Sequence, residues 1–175
     1  MTAAELLAAS GRFPIAPGLS DAELAAIEDE FGFTFAGDHR AFLSAGLPTG
    51  RGWPDWRGPD RAALRERLAW PVEGVLFDVG SNDFWYGGWG PRPPAAEAAV
   101  AAARGYLLTA PRLVPVYAHR FLPAGVSGHP VLSVYQTDII YYGVDLTDWL
   151  HREFGLGSAS PGEPRATVPF WRDLL

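Results

Sequence analysis

A helical spacing of apolar residues is the first pattern along the chain. Ser20 and Glu23, three residues apart, form the capping box that starts a helix, and Gly32 can adopt the left-handed backbone that ends one. The apolar positions between them, at i, i+3 and i+7, are Leu24, Ile27 and Phe31. We therefore predict an amphipathic helix over residues 20–32.

Five other segments carry helix signals. Residues 2–10 predict a short helix or arm, and the Ala-rich run 94–109 predicts a helix because alanine is the best helix former. The other three helices are expected directly after acidic N-caps, the last of them over residues 146–154. These predicted caps are Asp38, Asp60 and Asp145.

Runs of β-branched and aromatic residues predict the strands. One is expected over residues 74–79, before an aromatic loop at 80–90. The others are expected at 113–121, 131–135 and 139–142, with 136–138 as a tight hairpin connection. Helices therefore come first, then strands with one inserted helix, then a closing helix. This order predicts an α+β fold, with N-terminal helices packed on a mainly antiparallel sheet.

The composition indicates one folded domain. A chain of 175 residues with 48% hydrophobic residues can bury a core without a metal or disulfide, and cysteine is absent. We place the core at about 15–155, a mobile Gly/Ser/Pro-rich loop at 156–167, and at 168–175 an apolar tail that docks on the body or on a partner. No run of 18 apolar residues and no basic N-terminal region occur. We therefore expect a cytoplasmic protein without a membrane partner.

Negative charge is concentrated at the N-terminal end. The formal net charge is −6, and the first 38 residues contain seven carboxylates and one arginine, whereas the remainder is balanced. The acids that we consider candidate contact residues are Asp21, Glu23, Glu28, Asp29 and Glu30. Such a field repels nucleic-acid phosphate and would steer a basic partner. Alternatively, these acids only keep an exposed helix face soluble.

Aromatic residues are frequent in the predicted loops, outside the periodic segments. Those that we consider candidate contact residues are Trp53, Trp56, Trp85, Tyr86 and Trp89. Loop aromatics beside Asp and Arg are typical anchors for a partner surface. Alternatively, they close the open face of a small sheet.

The sequence lacks the common catalytic motifs. The four histidines do not have zinc-binding spacing, residues 125–128 fall short of a G-x-S-x-G elbow, and the absence of lysine excludes a GxxxxGK phosphate loop. His119, His129 and Asp138 lie on neighbouring predicted strands or at their ends, and such a set can bind a metal or transfer protons. Alternatively, the two histidines only hold the sheet edges through hydrogen bonds.

Four stretches of the chain resemble the SUKH superfamily, which includes bacterial toxin-immunity proteins and yeast cell-wall-synthesis regulators. They are LSDAELAAIEDEFGFTF with DHRAFLSAGLP (19–35 and 38–48), WPVEGVLFDVGSNDFW (70–85), RLVPVYAHRFLP (112–123) and GHPVLSVYQTDIIYYGVDLTDWLHREFG (128–155). The resemblance covers most of residues 15–155. It implies an α+β fold and a role in binding other proteins, since many members neutralise a toxin encoded beside them.

From this resemblance we expect a single SUKH-like domain over residues 1–175. It would be a non-enzymatic, immunity-type module without a cofactor, and it would bind another protein, such as a basic toxin domain, as a monomer or weak homodimer. One alternative is a regulatory scaffold that binds a host protein. The other is a small hydrolase or metal-dependent enzyme that uses His119, His129 and Asp138.

Overall fold

The structure, a computed structural model, describes residues 2–158, 160 and 162–175. Its helices are α1 (Ala3–Ser10), α2 (Asp21–Phe31), α3 (Gly37–Ala45), α4 (Arg61–Ser81), α5 (Ala96–Leu107) and α6 (Leu146–Phe154). Its strands are β1 (Ile15–Ala16), β2 (Leu47–Pro48), β3 (Leu113–Tyr117), β4 (Arg120–Pro123), β5 (Leu132–Tyr135) and β6 (Asp138–Tyr141). Short 3-10 helices lie at Gly87–Trp89 and Trp171–Leu174.

The main sheet is a four-stranded antiparallel meander. Its strands lie in the order β3-β4-β5-β6, so each strand pairs with its neighbour in the chain. The strands β1 and β2 form a separate two-stranded ribbon. This arrangement confirms the predicted α+β fold with an antiparallel sheet.

The sheet separates two hydrophobic cores, because successive side chains of a strand point to opposite faces. Val114 and Leu122 join a core with α1, α2, α3, α6 and the first half of α4. Leu113 and Phe121 join a second core with α5, the second half of α4 and the C-terminal tail. Helix α4 therefore contributes to both cores.

The strand predicted at 74–79 is wrong, because these residues belong to α4. The helix runs for 21 residues and continues through Pro71, although proline supplies no N–H for the helical ladder. Val75 and Val79 suggested a strand, but both are fully buried against α5 and the sheet. Tertiary packing here overrides the local preference of β-branched residues.

The strand predicted at 113–121 is also wrong, since it is a hairpin. Strands β3 and β4 are joined by a two-residue turn at Ala118 and His119. Ala118 has a φ of +44°, a backbone region that favours glycine. A turn without Gly, Asn or Pro gives no local sequence signal.

Four helix starts were predicted from capping residues, and three of them are confirmed. The Ser20–Glu23 capping box is present, and the side chains of Asp60 and Asp145 accept hydrogen bonds from N–H groups of their helices' first turns. The prediction for Asp38 is wrong, because α3 starts two residues earlier, at Gly37, and its N-cap is Ala36. Oδ2 of Asp38 instead accepts a hydrogen bond from the N–H of Gly128, at 3.0 Å.

The apolar tail packs on the body of the protein. Phe170 and Trp171 are buried in the second core, and the indole N–H of Trp171 donates to the carbonyl of Pro111 at 2.6 Å. The loop predicted to be mobile, 156–167, includes residues 159 and 161, which lie outside the described residues, and its mobility stays a prediction. Within the described part of the chain, no helix combines the length and apolar character needed to cross a membrane.

Candidate functional site

The acidic residues of α2 are largely paired with arginines from later in the chain. Arginine side chains contact four of the five predicted contact acids, through the pairs Asp21–Arg40, Glu28–Arg40, Glu23–Arg57, Glu30–Arg61 and Glu30–Arg65. Asp29 has no ion pair among the described residues. The arginines come from beyond residue 38, so counting charge along the sequence overstated the negative field of this helix.

Hydrogen bonds from these arginines also hold the carboxylates in their charged form. Arg57, together with Ser20, lowers the pKa of Glu23 to about 2. Arg61 lowers the pKa of Glu30 below its ordinary value. The acids of α2 thus fasten the loop at 51–60 and the start of α4 to the first core, which is an internal role.

Most of the predicted loop aromatics lie in the cores. Trp53, Trp56 and Trp89 have exposed fractions of 5%, 2% and 7%, so they lie inside the folded chain, and a contact role for them stays a prediction. Trp85 and Tyr86 are half-buried and pack against Trp89. Trp53 and Trp56 belong to the first core, whereas Trp89, with Trp85 and Tyr86 packed against it, belongs to the second. This burial favours the structural alternative over a contact role.

His119, His129 and Asp138 are not brought together as a ligand set. The buried His129 contacts the carbonyl of Pro130 through Nδ1, at 2.8 Å, and accepts the N–H of Thr167 at Nε2. Both its nitrogens are thus occupied, and burial lowers its pKa. Across the described residues, no group of three or more His, Asp or Glu side chains is placed to hold a metal ion.

A cavity of about 450 Å³ opens between α4, the β3–β4 turn and the end of β5. Its lining residues are Gly52, Arg67, Trp70, Ala118, His119, Phe121 and Tyr135. This volume is in the range of small-ligand pockets. Among the predicted site residues only His119 lines it, so this site was missed by the sequence interpretation.

Arg67 provides the positive charge of this cavity. Its Nη2 donates hydrogen bonds to the carbonyls of Gly52, at 2.7 Å, and Ala118, at 3.2 Å. Burial lowers its pKa, and no carboxylate of the described residues lies within ion-pair distance. Gly52 has a φ of +94°, and a Cβ there would overlap the ring of Tyr117. Only glycine can therefore present this carbonyl to Arg67.

Two large apolar side chains that line the cavity, Trp70 and Tyr135, and a third beside them on the sheet, Ile140, are exposed together, and we call these three the apolar rim. Their exposed fractions are 48%, 57% and 51%. The rings of Trp70 and Tyr135 lie 6.4 Å apart, edge to face. Ile140 pairs with Ser133, so it is the diagonal neighbour of Tyr135 on the same face of the sheet.

His119 lies in the β3–β4 turn and lines the cavity. Burial lowers its pKa, and the nearby charge of Arg120 lowers it further, while Glu153 opposes them. The lowered pKa favours the neutral imidazole, which donates a hydrogen bond at one ring nitrogen and accepts one at the other. The site thus combines one guanidinium, one neutral imidazole and an aromatic mouth.

Comparison with protein-family models, curated proteins and solved structures finds no match to this chain. The likeness to the SUKH superfamily therefore stays a prediction that rests on the four sequence stretches.

Proposed function

We propose that the protein is a non-enzymatic binding module that docks another protein on the apolar rim, in a role of the immunity type. The observation that carries this proposal is the exposure of three large apolar side chains, each about half exposed, at one place on the surface. Trp70 and Tyr135 line the cavity, and Ile140 lies beside Tyr135 on the same face of the sheet. Large apolar side chains that stay exposed together on a folded domain are typical of interaction surfaces.

The rim has the composition of an interface hot spot. Tryptophan and tyrosine are enriched among the residues that dominate binding energy, and a partner that covers them gains their remaining apolar area. The cavity behind the rim offers a recess for a partner side chain. The acids of α2, by contrast, already have partners within the chain, so we transfer the predicted contact surface from α2 to the rim.

The immunity role is tested with the products of the neighbouring genes. We expect the purified chain to bind one of them, measured by isothermal titration calorimetry, and to restore growth when that product is toxic. Trp70→Ala and Tyr135→Ala should each weaken binding at least about tenfold, since truncation of an aromatic hot spot costs about 2 kcal/mol or more.

Leu108→Ala is the matched control, because Leu108 is 82% exposed at the end of α5 and does not line this cavity. The affinity of the Leu108→Ala variant for the neighbouring gene product should stay within about twofold of the wild-type affinity. Wild-type affinity in both rim variants would contradict the rim as the contact surface. Binding to a neighbouring product without protection of growth would instead favour the regulatory scaffold.

A further inference from the structure

Arg67 is unusual among the arginines of this chain. Nine of the 14 arginines lie within 4 Å of a carboxylate. The five that do not are Arg12, Arg51, Arg67, Arg112 and Arg165, and all of these except Arg67 are exposed. Arg67 alone is half-buried without a counter-charge among the described residues. Burial without pairing is costly for a charged group, so this charge is available to an anion from outside.

Two backbone carbonyls hold the guanidinium in place. Because Gly52 and Ala118 both accept from Nη2, the plane of the group is fixed before any ligand arrives. The structure gives no acceptor for Nε or Nη1 among the described residues. A pre-organised donor loses little conformational entropy on binding, and charge-assisted hydrogen bonds are about twice as strong as neutral ones.

The surroundings of Arg67 select the kind of anion. The cavity supplies one positive charge and a neutral His119, which match a single negative charge rather than a phosphate dianion. The rings of Trp70 and Tyr135 at the mouth favour a flat or apolar group next to the anion. A carboxylate attached to such a group meets both conditions.

We propose that the cavity beside Arg67 is a carboxylate-binding site, in which Arg67 binds the carboxylate and Trp70 and Tyr135 contact the adjoining apolar group. In the context of the proposed function, on which this part rests, the carboxylate belongs to an acidic side chain of the docked protein. The partner surface would then be acidic at this point, in contrast to the basic partner expected from the charge of α2.

The test uses the full chain and two small probes that differ in one group. Hippurate carries a carboxylate, an amide and a phenyl ring, and hippuramide replaces the carboxylate with a neutral carboxamide. We expect hippurate to shift the indole N–H resonance of Trp70 in ¹⁵N spectra, assigned with Trp70→Phe, in a saturable manner. Hippuramide should bind at least about tenfold more weakly, because the charge-assisted contact is lost.

Arg67→Met should weaken hippurate binding at least about tenfold, whereas Arg65→Met should leave it unchanged. Arg65 is a matched control, since it lies two residues away on α4 and pairs with Glu30 outside the cavity. If Arg67→Met does not fold, because Arg67 also ties two loops together, Arg67→Lys serves instead. It keeps the charge but not the planar fork, and should bind with reduced affinity.

Three results would overturn the carboxylate site. They are the absence of hippurate binding up to about 50 mM, where a ligand of millimolar affinity saturates, equal affinity for hippuramide, and displacement of hippurate by lower concentrations of inorganic phosphate. Any of them would leave the docking proposal intact, because that proposal depends on the partner affinity of the rim variants. Conversely, hippurate binding by a chain that binds no neighbouring product would refute the immunity role alone.

Discussion

At the scale of single residues, Gly74 determines how closely α4 approaches the sheet. A Cβ at this position would lie 2.9 Å from Cα of Gln136, in the turn between β5 and β6. One helical turn later, Asp78 accepts hydrogen bonds from the N–H and the hydroxyl of Thr137, at 2.9 and 2.6 Å. The missing side chain and the buried carboxylate together fasten the turn to the helix, next to Trp70 and Tyr135 of the rim.

Gly74→Ala should lower the free energy of unfolding by about 1–3 kcal/mol, because the methyl group meets backbone that must move. The expected change is opposite in sign to the effect of helix propensity. Propensity alone would make a Gly→Ala substitution within a helix stabilising by about 1 kcal/mol. Chemical denaturation with a linear extrapolation measures the change.

Gly105→Ala in α5 is the control for this substitution. Apart from its chain neighbours and the backbone of its own helix, no atom of the described residues lies within 4 Å of the added Cβ. Helix propensity should therefore act alone and raise the free energy of unfolding by roughly 0.5–1 kcal/mol. Stabilisation of similar size in both variants would show that Gly74 does not have the close contact described here.

At the scale of elements, the C-terminal tail completes the second core. Phe170 stacks on Trp89 with ring centroids 5.5 Å apart, and Trp89 stacks on Tyr106 of α5. The hydroxyl of Tyr86 donates to Asp173 at 2.7 Å, which closes the tail over these rings. The tail therefore acts as part of the core.

Trp171→Ala should lower the free energy of unfolding by about 3–5 kcal/mol, because it empties a fully buried indole site and removes the donor to Pro111. Leu175→Ala, at the exposed end of the same tail, should change it by less than about 0.5 kcal/mol. Thermal and denaturant unfolding of the two variants test this. A small effect of Trp171→Ala would mean that the tail contributes little to the core.

The predicted elements were correct where the signal is local, and wrong where tertiary contacts decide. The capping box at Ser20 depends on a few neighbouring residues, so the sequence alone identifies it. Helix α4 gives a weak amphipathic signal, because its buried side changes from Leu64 and Leu68 in the first core to Val75 and Val79 in the second. A single apolar stripe could not be read from such a helix.

At the scale of the whole molecule, stability should depend on pH through buried histidine. His39 is 1% exposed, and burial lowers its pKa to about 3. In the unfolded chain its pKa is near 6.5, so between these values the unfolded state binds a proton that the folded state does not. Stability is therefore fully present above about pH 6.5 and decreases as the pH falls toward 3.

For His39 alone, the expected loss between pH 7 and pH 4 is about 3 kcal/mol. His39→Leu should remove this part of the pH dependence, while the wild type and the variant remain folded at pH 7. Urea unfolding at several pH values gives the slope of the free energy of unfolding against pH for each protein. Equal slopes in the two proteins would show that His39 is not buried in its neutral form.

The candidate site could not be predicted from the sequence, since it forms only when distant segments meet. Arg67 and Trp70 come from α4, His119 from a hairpin turn and Tyr135 from the end of β5. The charge of α2 was visible in the sequence, but its partners Arg57 and Arg61 lie some 30 residues away and become neighbours only in the fold. Pairing between remote residues decides which charges are neutralised and leaves Arg67 half-buried without a carboxylate partner among the described residues.

Helix α4 enters both cores, and this has a consequence for cooperativity. If one core unfolds, α4 loses packing contacts that also support the other core. The two cores should therefore unfold as one cooperative unit. Trp70 and Arg67 lie on that shared helix. A molecule bound there would consequently raise the melting temperature of the entire chain, and calorimetry of the bound protein would record a single, shifted transition.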